Sequence, residues 1–215
     1  MVPAQCYERV VRVNTPGGYG AGFSITRHET QWLVTAQHVV DGVADSDLEI
    51  VRRDGIVPVG LREIPRASEA VDVAVFALDR DILPDLSLTP SSDELVFTQD
   101  VYFLGYPMGL GLRSGPVTYP FVKKAIASGF EREPDGATLW FFDGINNPGF
   151  SGGPVVFNRQ GSREWRVAAV VSGYLTEELA VNGGAGSISA NTGIVLGYDI
   201  QHALDSIDAY QASRH

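Results

Sequence analysis

A single serine stands among three glycines in Asn147-Pro148-Gly149-Phe150-Ser151-Gly152-Gly153-Pro154. Glycine lets a backbone take conformations barred to residues with a Cβ and approach a bound molecule closely. Such a turn can present the Ser151 hydroxyl as a nucleophile and aim the amides of Gly149 and Ser151 into one small space. There they would stabilise the oxyanion formed when a carbonyl is attacked. Taken alone, the segment is equally an ordinary Gly-Ser loop. A serine hydroxyl is a weak nucleophile near neutral pH and needs a base within reach, with a third group fixing that base's tautomer. The chain has four histidines. His215 is terminal, His202 lies off the apolar stripe of a C-terminal helix, and His28 sits in a polar turn beside Arg27 and Glu29, so all three are expected to face solvent. His38 follows the apolar run Trp32-Leu33-Val34-Thr35, where a polar ring is either a satisfied core histidine or a base. Asp72 opens the run Asp72 to Leu78, which is otherwise fit for burial. A buried carboxylate needs a hydrogen-bonding partner, which an imidazole would supply; an exposed aspartate at a strand start is the plainer alternative. Asp100, Asp143 and Asp199 compete for the role.

The elements that must position these groups read as β-strands. Short runs rich in β-branched and aromatic residues alternate with Gly, Pro, Asn and Asp clusters. Six precede a connector at Leu83 to Gln99: Tyr7 to Asn14, Gly20 to Thr26, Gln31 to Thr35, Leu48 to Arg53, Ile56 to Ile64 and Val71 to Leu78. Asp54-Gly55 is expected to turn the fourth into the fifth. Six follow it: Asp100 to Leu104, Phe121 to Phe130, Ala137 to Phe142, Pro154 to Phe157, Trp165 to Gly173 and Gly193 to Tyr198. Ile200, Ala203, Leu204 and Ile207 share one face of a tail helix that Asp199 is placed to cap. Gly105 to Pro120, with four glycines and three prolines, and Leu179 to Thr192 read as long irregular loops of the kind that bind something or stay mobile. The pattern predicts an all-β protein in two lobes, 1–90 carrying the histidine and the aspartate and 91–215 carrying the serine and the tail helix.

Composition limits the partners. The 215 residues are 44% hydrophobic and 20% charged, which suits a packed core and excludes a disordered chain. No apolar run approaches the ~20 residues a membrane helix requires. Sixteen basic against 26 acidic residues give a net charge of −10, which repels a phosphate backbone, so nucleic acid is not an expected partner. Cys6 is the single cysteine and can form no intrachain disulfide. The opening MVPAQCYERVV carries charges where a signal peptide would be apolar. A cytoplasmic protein is expected, with no metal or other cofactor, because the histidines and the cysteine show no ligand spacing.

These segments together resemble the trypsin-like serine proteases of chymotrypsin fold, and most closely the protease domain of the HtrA/Deg group. Five anchors carry the likeness in order: Gly20-Ala21-Gly22-Phe23, Thr35-Ala36-Gln37-His38-Val39-Val40, Asp72-Val73-Ala74-Val75, Leu104-Gly105-Tyr106-Pro107 and Asn147 to Pro154. The order His38, Asp72, Ser151, with separations of 34 and 79 residues, fits that family. The resemblance implies two six-stranded antiparallel β-barrels and an endopeptidase acting on protein or peptide through an acyl-enzyme. Ser151 would be its nucleophile, His38 its base, Asp72 the orienting acid, and Gly149 and Ser151 its oxyanion hole. By the same likeness, Ser172, Gly173 and Tyr174 lie on the strand that pairs with substrate and lines the specificity pocket.

The departures bear on activity. Trypsin and chymotrypsin carry an acid immediately before the nucleophile, paired with a new N-terminus, and the HtrA group usually carries asparagine. Phe150 stands there and is expected to reshape the oxyanion turn. No PDZ domain is expected after the tail helix. Ile145 occupies the position of trypsin's specificity aspartate, so a Lys or Arg side chain would find no partner. With Leu196 on the opposite wall, small or medium apolar P1 residues are expected. Gly149 to Gly153 also satisfies G-x-S-x-G, but an α/β-hydrolase needs a helix after the serine, and Pro154 to Phe157 reads as a strand. The remaining rival is a catalytically silent protease-like domain that binds peptide or partner. A third possibility is an enzyme gated by a regulatory protein that orders the Leu179 to Thr192 loop.

Overall fold

The computed structural model describes residues 1–84, 88–134, 136–180 and 186–214. Parts of the expected connector (85–87), of the expected Leu179 to Thr192 loop (181–185) and His215 lie outside the described residues. The N-terminal half carries the single turn α1 (Ala4–Tyr7), strands β1 (Val10–Thr15), β2 (Gly18–Arg27) and β3 (Thr30–Thr35), the turn α2 (Gln37–Val40), then β4 (Glu49–Arg52), β5 (Gly55–Val57), β6 (Leu61–Glu63) and β7 (Ala74–Leu78). Its sheet has the order β5-β4-β1-β2-β3-β7-β6. The expected strand Ile56 to Ile64 divides at Pro58, which has no N–H for a ladder. One piece pairs with β4 and the other with β7, so the sheet curls without closing. The β4–β5 turn falls on Arg53-Asp54, one residue earlier than expected, because Arg52 pairs with Gly55.

The second half holds β8 (Thr89–Pro90), β9 (Asp100–Gly105), the short hairpin β10 (Leu112–Ser114) and β11 (Val117–Tyr119), β12 (Phe121–Arg132), β13 (Thr138–Asp143), β14 (Pro154–Asn158), β15 (Trp165–Ala180), β16 (Ser187–Asp199) and the helix α3 (Gln201–Ala212). Its sheet runs β14-β9-β12-β13-β16-β15-β8, and β14 also pairs with β15, closing the ring. Each main sheet thus has seven strands where six were expected. The extra ones are the divided fifth run and β8, a two-residue parallel contact with β15 inside the connector. The stretch Leu179 to Thr192 is not irregular where it is described: Thr176 pairs with Asn191 and Ala180 with Ser187, carrying β15 and β16 outward as one long hairpin.

Aromatic and branched side chains fill the closed barrel around Phe103, Phe142, Phe150 and Phe157, while Val11, Leu33, Ile50 and Phe76 fill the open sheet. The apolar face expected of α3 is buried at Ile200, Ala203, Leu204 and Ile207, and Asp199 Oδ1 accepts from the Gln201 amide at its first turn. This helix docks on the first sheet. Trp32 meets Tyr210 edge to face at 6.0 Å, Arg27 is paired with Asp208 through two bonds, and Ser206 Oγ accepts from the Ala67 amide. No helix among the described residues is long and apolar enough to cross a membrane.

Candidate active site

Strand pairing brings His38 and Asp72 together. In the antiparallel β3–β7 ladder Thr35 faces Ala74, so the chain leaves β3 beside the point where it enters β7. His38 stands three residues past one end and Asp72 two residues before the other. His38 Nδ1 lies 2.7 Å from Asp72 Oδ2, and the His38 amide donates to Asp72 Oδ1 at 2.8 Å. A carboxylate only accepts, so the ring proton sits on Nδ1 and Nε2 of the neutral ring carries a lone pair. The hydrogen bond to Asp72 raises the imidazole's affinity for protons above its ordinary value; partial burial opposes this, and the carboxylate's charge adds to it. For Asp72, burial pushes the carboxyl up. Hydrogen bonds from the His38 ring, from Ser172 and from the His38 amide, with the imidazolium's charge, outweigh that and leave it below the ordinary aspartate range.

Ser172 joins this pair to the serine. The β15 ladder slips register between Val171 and Gly173, a bulge that re-aims the residue within it. From that position Ser172 Oγ donates to Asp72 Oδ2 at 2.5 Å, while its carbonyl accepts from Ser151 Oγ at 3.0 Å. The one hydroxyl proton of Ser151 therefore points to Ser172 and not to His38. The same strand was expected to contact substrate; its link between Asp72 and Ser151 was not expected, because a bulge leaves no mark in residue type.

The serine turn is held from both lobes. Ser151 O accepts from the Ala21 amide at 2.8 Å, and Thr35 Oγ1 donates to Ala21 O at 2.7 Å. Gly149 and Gly152 have φ of +102° and +82°, the left-handed region, and a Cβ on Gly152 would stand 2.1 Å from Ala21 O. No other residue type fits there without displacing backbone. Among the described residues no carbonyl accepts from the amides of Gly149 or Ser151. Phe150 does not disturb the turn from outside. Its ring is fully buried, packed 4.9 Å from Phe103, so it roots the turn in the barrel core.

A cation that sequence reasoning passed over braces the preceding loop. Lys123 of β12 donates through Nζ to Ile145 O and to Asn147 Oδ1 at 2.9 Å, and stands 5.6 Å from the Phe150 ring centroid. The only sequence signal was a lysine on an otherwise alternating strand. Ile145 itself is 62% exposed. Gly173 and Tyr174 pair with Leu196 and Val195, and Gly173 O accepts from Asn146 Nδ2 at 3.3 Å. The other two described histidines are placed elsewhere. His28 bonds to Asp208 at 2.7 Å, and His202 Nε2 accepts from the Thr138 amide at 2.9 Å, so His202 is not simply solvated as expected. Cys6 is buried, and burial pushes its thiol up to about 12. No set of three His, Cys, Asp or Glu side chains among the described residues converges to hold a metal.

The fold has counterparts among known proteins. Residues 20–170 match the family described as the trypsin-like peptidase domain. No curated protein matches the chain. Among solved structures, the inactive form of the Rv3671c protease is similar with a TM-score of 0.66 and 19% identity, over 96% of this chain and 91% of that one. Its Ser343Ala mutant from M. tuberculosis H37Rv, also an inactive form, gives a TM-score of 0.64 and 19% identity over 100% and 96% of the two chains. The HtrA-type protease AlgW with tripeptide gives 0.65 and 22% identity, over 96% of this chain and 61% of that one.

Proposed function

Because the chain belongs to the trypsin-like peptidase domain family, we propose that it is a serine endopeptidase in which Ser151, His38 and Asp72 form the catalytic triad. The observation that carries this reading is the unbroken chain of contacts His38–Asp72–Ser172–Ser151 across the two sheets. A peptide laid along β15 beyond Val171, where β14 no longer pairs with it, brings an N–H to the Ser172 carbonyl and displaces the Ser151 proton, which turns to His38 Nε2. His38 then takes that proton as Ser151 Oγ attacks the scissile carbonyl, and later delivers it to the leaving amine. Asp72 holds the Nδ1–H tautomer and balances the imidazolium. The amides of Gly149 and Ser151 receive the oxyanion. The acyl-enzyme is hydrolysed by water through the same base.

Small or medium apolar P1 residues are favoured in this reading. Ile145 and Leu196 offer no carboxylate to a basic side chain, whose unpaired burial would be costly. Fastest cleavage after Lys or Arg in a peptide library would overturn that preference. We read the protein as cytoplasmic, on its single buried cysteine.

A fluorophosphonate probe tests the assignment. The expected result is covalent labelling at Ser151, abolished in Ser151→Ala; no labelling under any condition would favour the silent, peptide-binding alternative. One observation favours a gated enzyme: the resting Ser151 hydroxyl is engaged by Ser172 instead of the base. Slow labelling that accelerates with a bound peptide or a regulatory protein would support gating. Equal rates with and without them would remove it.

A further inference from the structure

Outside the catalytic cleft, the strongest unexplained feature is a concentration of arginines in an acidic protein. A cleft of about 530 Å³ opens where the first sheet meets the segment that follows β9, and it is lined by Arg12 of β1, Arg52 and Arg53 at the β4–β5 turn, and Arg113 of β10. The chain as a whole carries −10. Two of the four are already neutralised, Arg52 by Asp54 and Arg53 by Glu8. Arg12 and Arg113 have no carboxylate partner among the described residues. Arg12 is partly buried and donates from Nη1 to Gly109 O at 2.8 Å, and its buried Nε has no acceptor. A guanidinium withdrawn from water without a counter-ion is costly.

We propose that this cleft binds a small multivalent oxyanion, carrying phosphate or carboxylate groups, between Arg12 and Arg113. The guanidinium fork matches the paired oxygens of both groups. The overall negative charge disfavours approach by an acidic macromolecule, whereas a small anion entering the cleft meets mainly the local positive field. Arg12 belongs to the first sheet and Arg113 to the hairpin of the second half, so the site exists only when the halves are docked, and an occupant ties them together. It also secures Gly109, whose neighbour Met108 donates its amide to Pro148 O, one residue from Gly149.

The test is thermal denaturation and titration calorimetry of the intact chain with pyrophosphate and, separately, citrate, against sodium chloride at matched ionic strength. At a hundredfold excess over Kd, the midpoint is expected to rise by roughly 5–10 °C. The exposed Arg113→Gln variant, which disturbs no packing, is expected to bind at least about tenfold more weakly; Arg12→Gln is expected to lose the shift, and Lys124→Gln, outside the cleft, to retain it. A shift with pyrophosphate alone identifies a phosphate ligand, and one with citrate alone a carboxylate ligand. Equal responses to both anions and to sodium chloride, or a shift undiminished in Arg113→Gln, would overturn the proposal. No readout involves catalysis, so the result stands apart from the proposed protease activity.

Discussion

At the scale of single residues, the proposed site depends on three side chains whose protons are arranged by their neighbours. Asp72 keeps the His38 proton on Nδ1, so Asp72→Asn leaves the shape but favours the wrong tautomer. Turnover is expected to fall by ~10⁴, measured as kcat/KM on a peptide substrate with the fold checked by circular dichroism. In the proposed mechanism activity requires a neutral His38. Because the Asp72 hydrogen bond raises its pKa, activity is expected to be lost as pH falls through a value above the ordinary imidazole range. Removing the carboxylate should move the acid limb of the kcat/KM profile to lower pH, and a limb that stays in place would show that another group controls it. Ser172→Ala removes a donor to Asp72 and leaves the carbonyl that holds Ser151. It is expected to lower kcat/KM by about tenfold, the worth of one hydrogen bond to a charged group.

At the scale of elements, the Ser151 turn is a short loop made rigid by what lies beneath and beside it. Phe150→Ala is expected to cost about 3–5 kcal/mol in denaturant unfolding, the range for deleting a buried aromatic ring, while Phe150→Leu costs less. Lys123 reaches the same turn from β12. Lys123→Met breaks two charge-assisted hydrogen bonds, and a loss of about 1.5 kcal/mol converts to roughly tenfold in the rate of probe labelling. Recovery in Lys123→Arg, with unchanged stability in both variants, distinguishes positioning of the turn from support of the barrel. The long β15–β16 hairpin explains why an expected loop is ordered where it is described. Its Ser, Asn and Gly residues have weak strand preference, but cross-strand pairing from Thr176–Asn191 to Ala180–Ser187 supplies what local propensity lacks.

At the scale of the molecule, the two sheets are held by crossings of the chain as well as by their shared face. The expected units 1–90 and 91–215 are crossed by the pairing of the chain: β8 (Thr89–Pro90) pairs with β15 of the second sheet, and α3, at the far end of the sequence, packs against β3 and β7 of the first. Ile207→Ala is expected to cost about 2–5 kcal/mol and to lower the midpoint of one cooperative unfolding transition, because the helix spans both halves. Two separate transitions, only one of them shifted, would mean that the halves fold independently.

The local pattern determined the β-rich architecture and the apolar face of α3, and with the family likeness it singled out His38, Asp72 and Ser151 as candidates. Period-two alternation, turn residues and motif spacing are properties of neighbours in the chain, and neighbours are what a sequence displays. Tertiary structure decided the rest: that one sheet closes and the other stays open, that Phe150 points into the core, that Ser172 bridges Asp72 and Ser151, that Lys123 braces the turn, and that arginines distant in sequence share a cleft. Each of these depends on which strands pair and where a register slips, and such long-range pairings are fixed by packing over the whole fold rather than by the residues on either side.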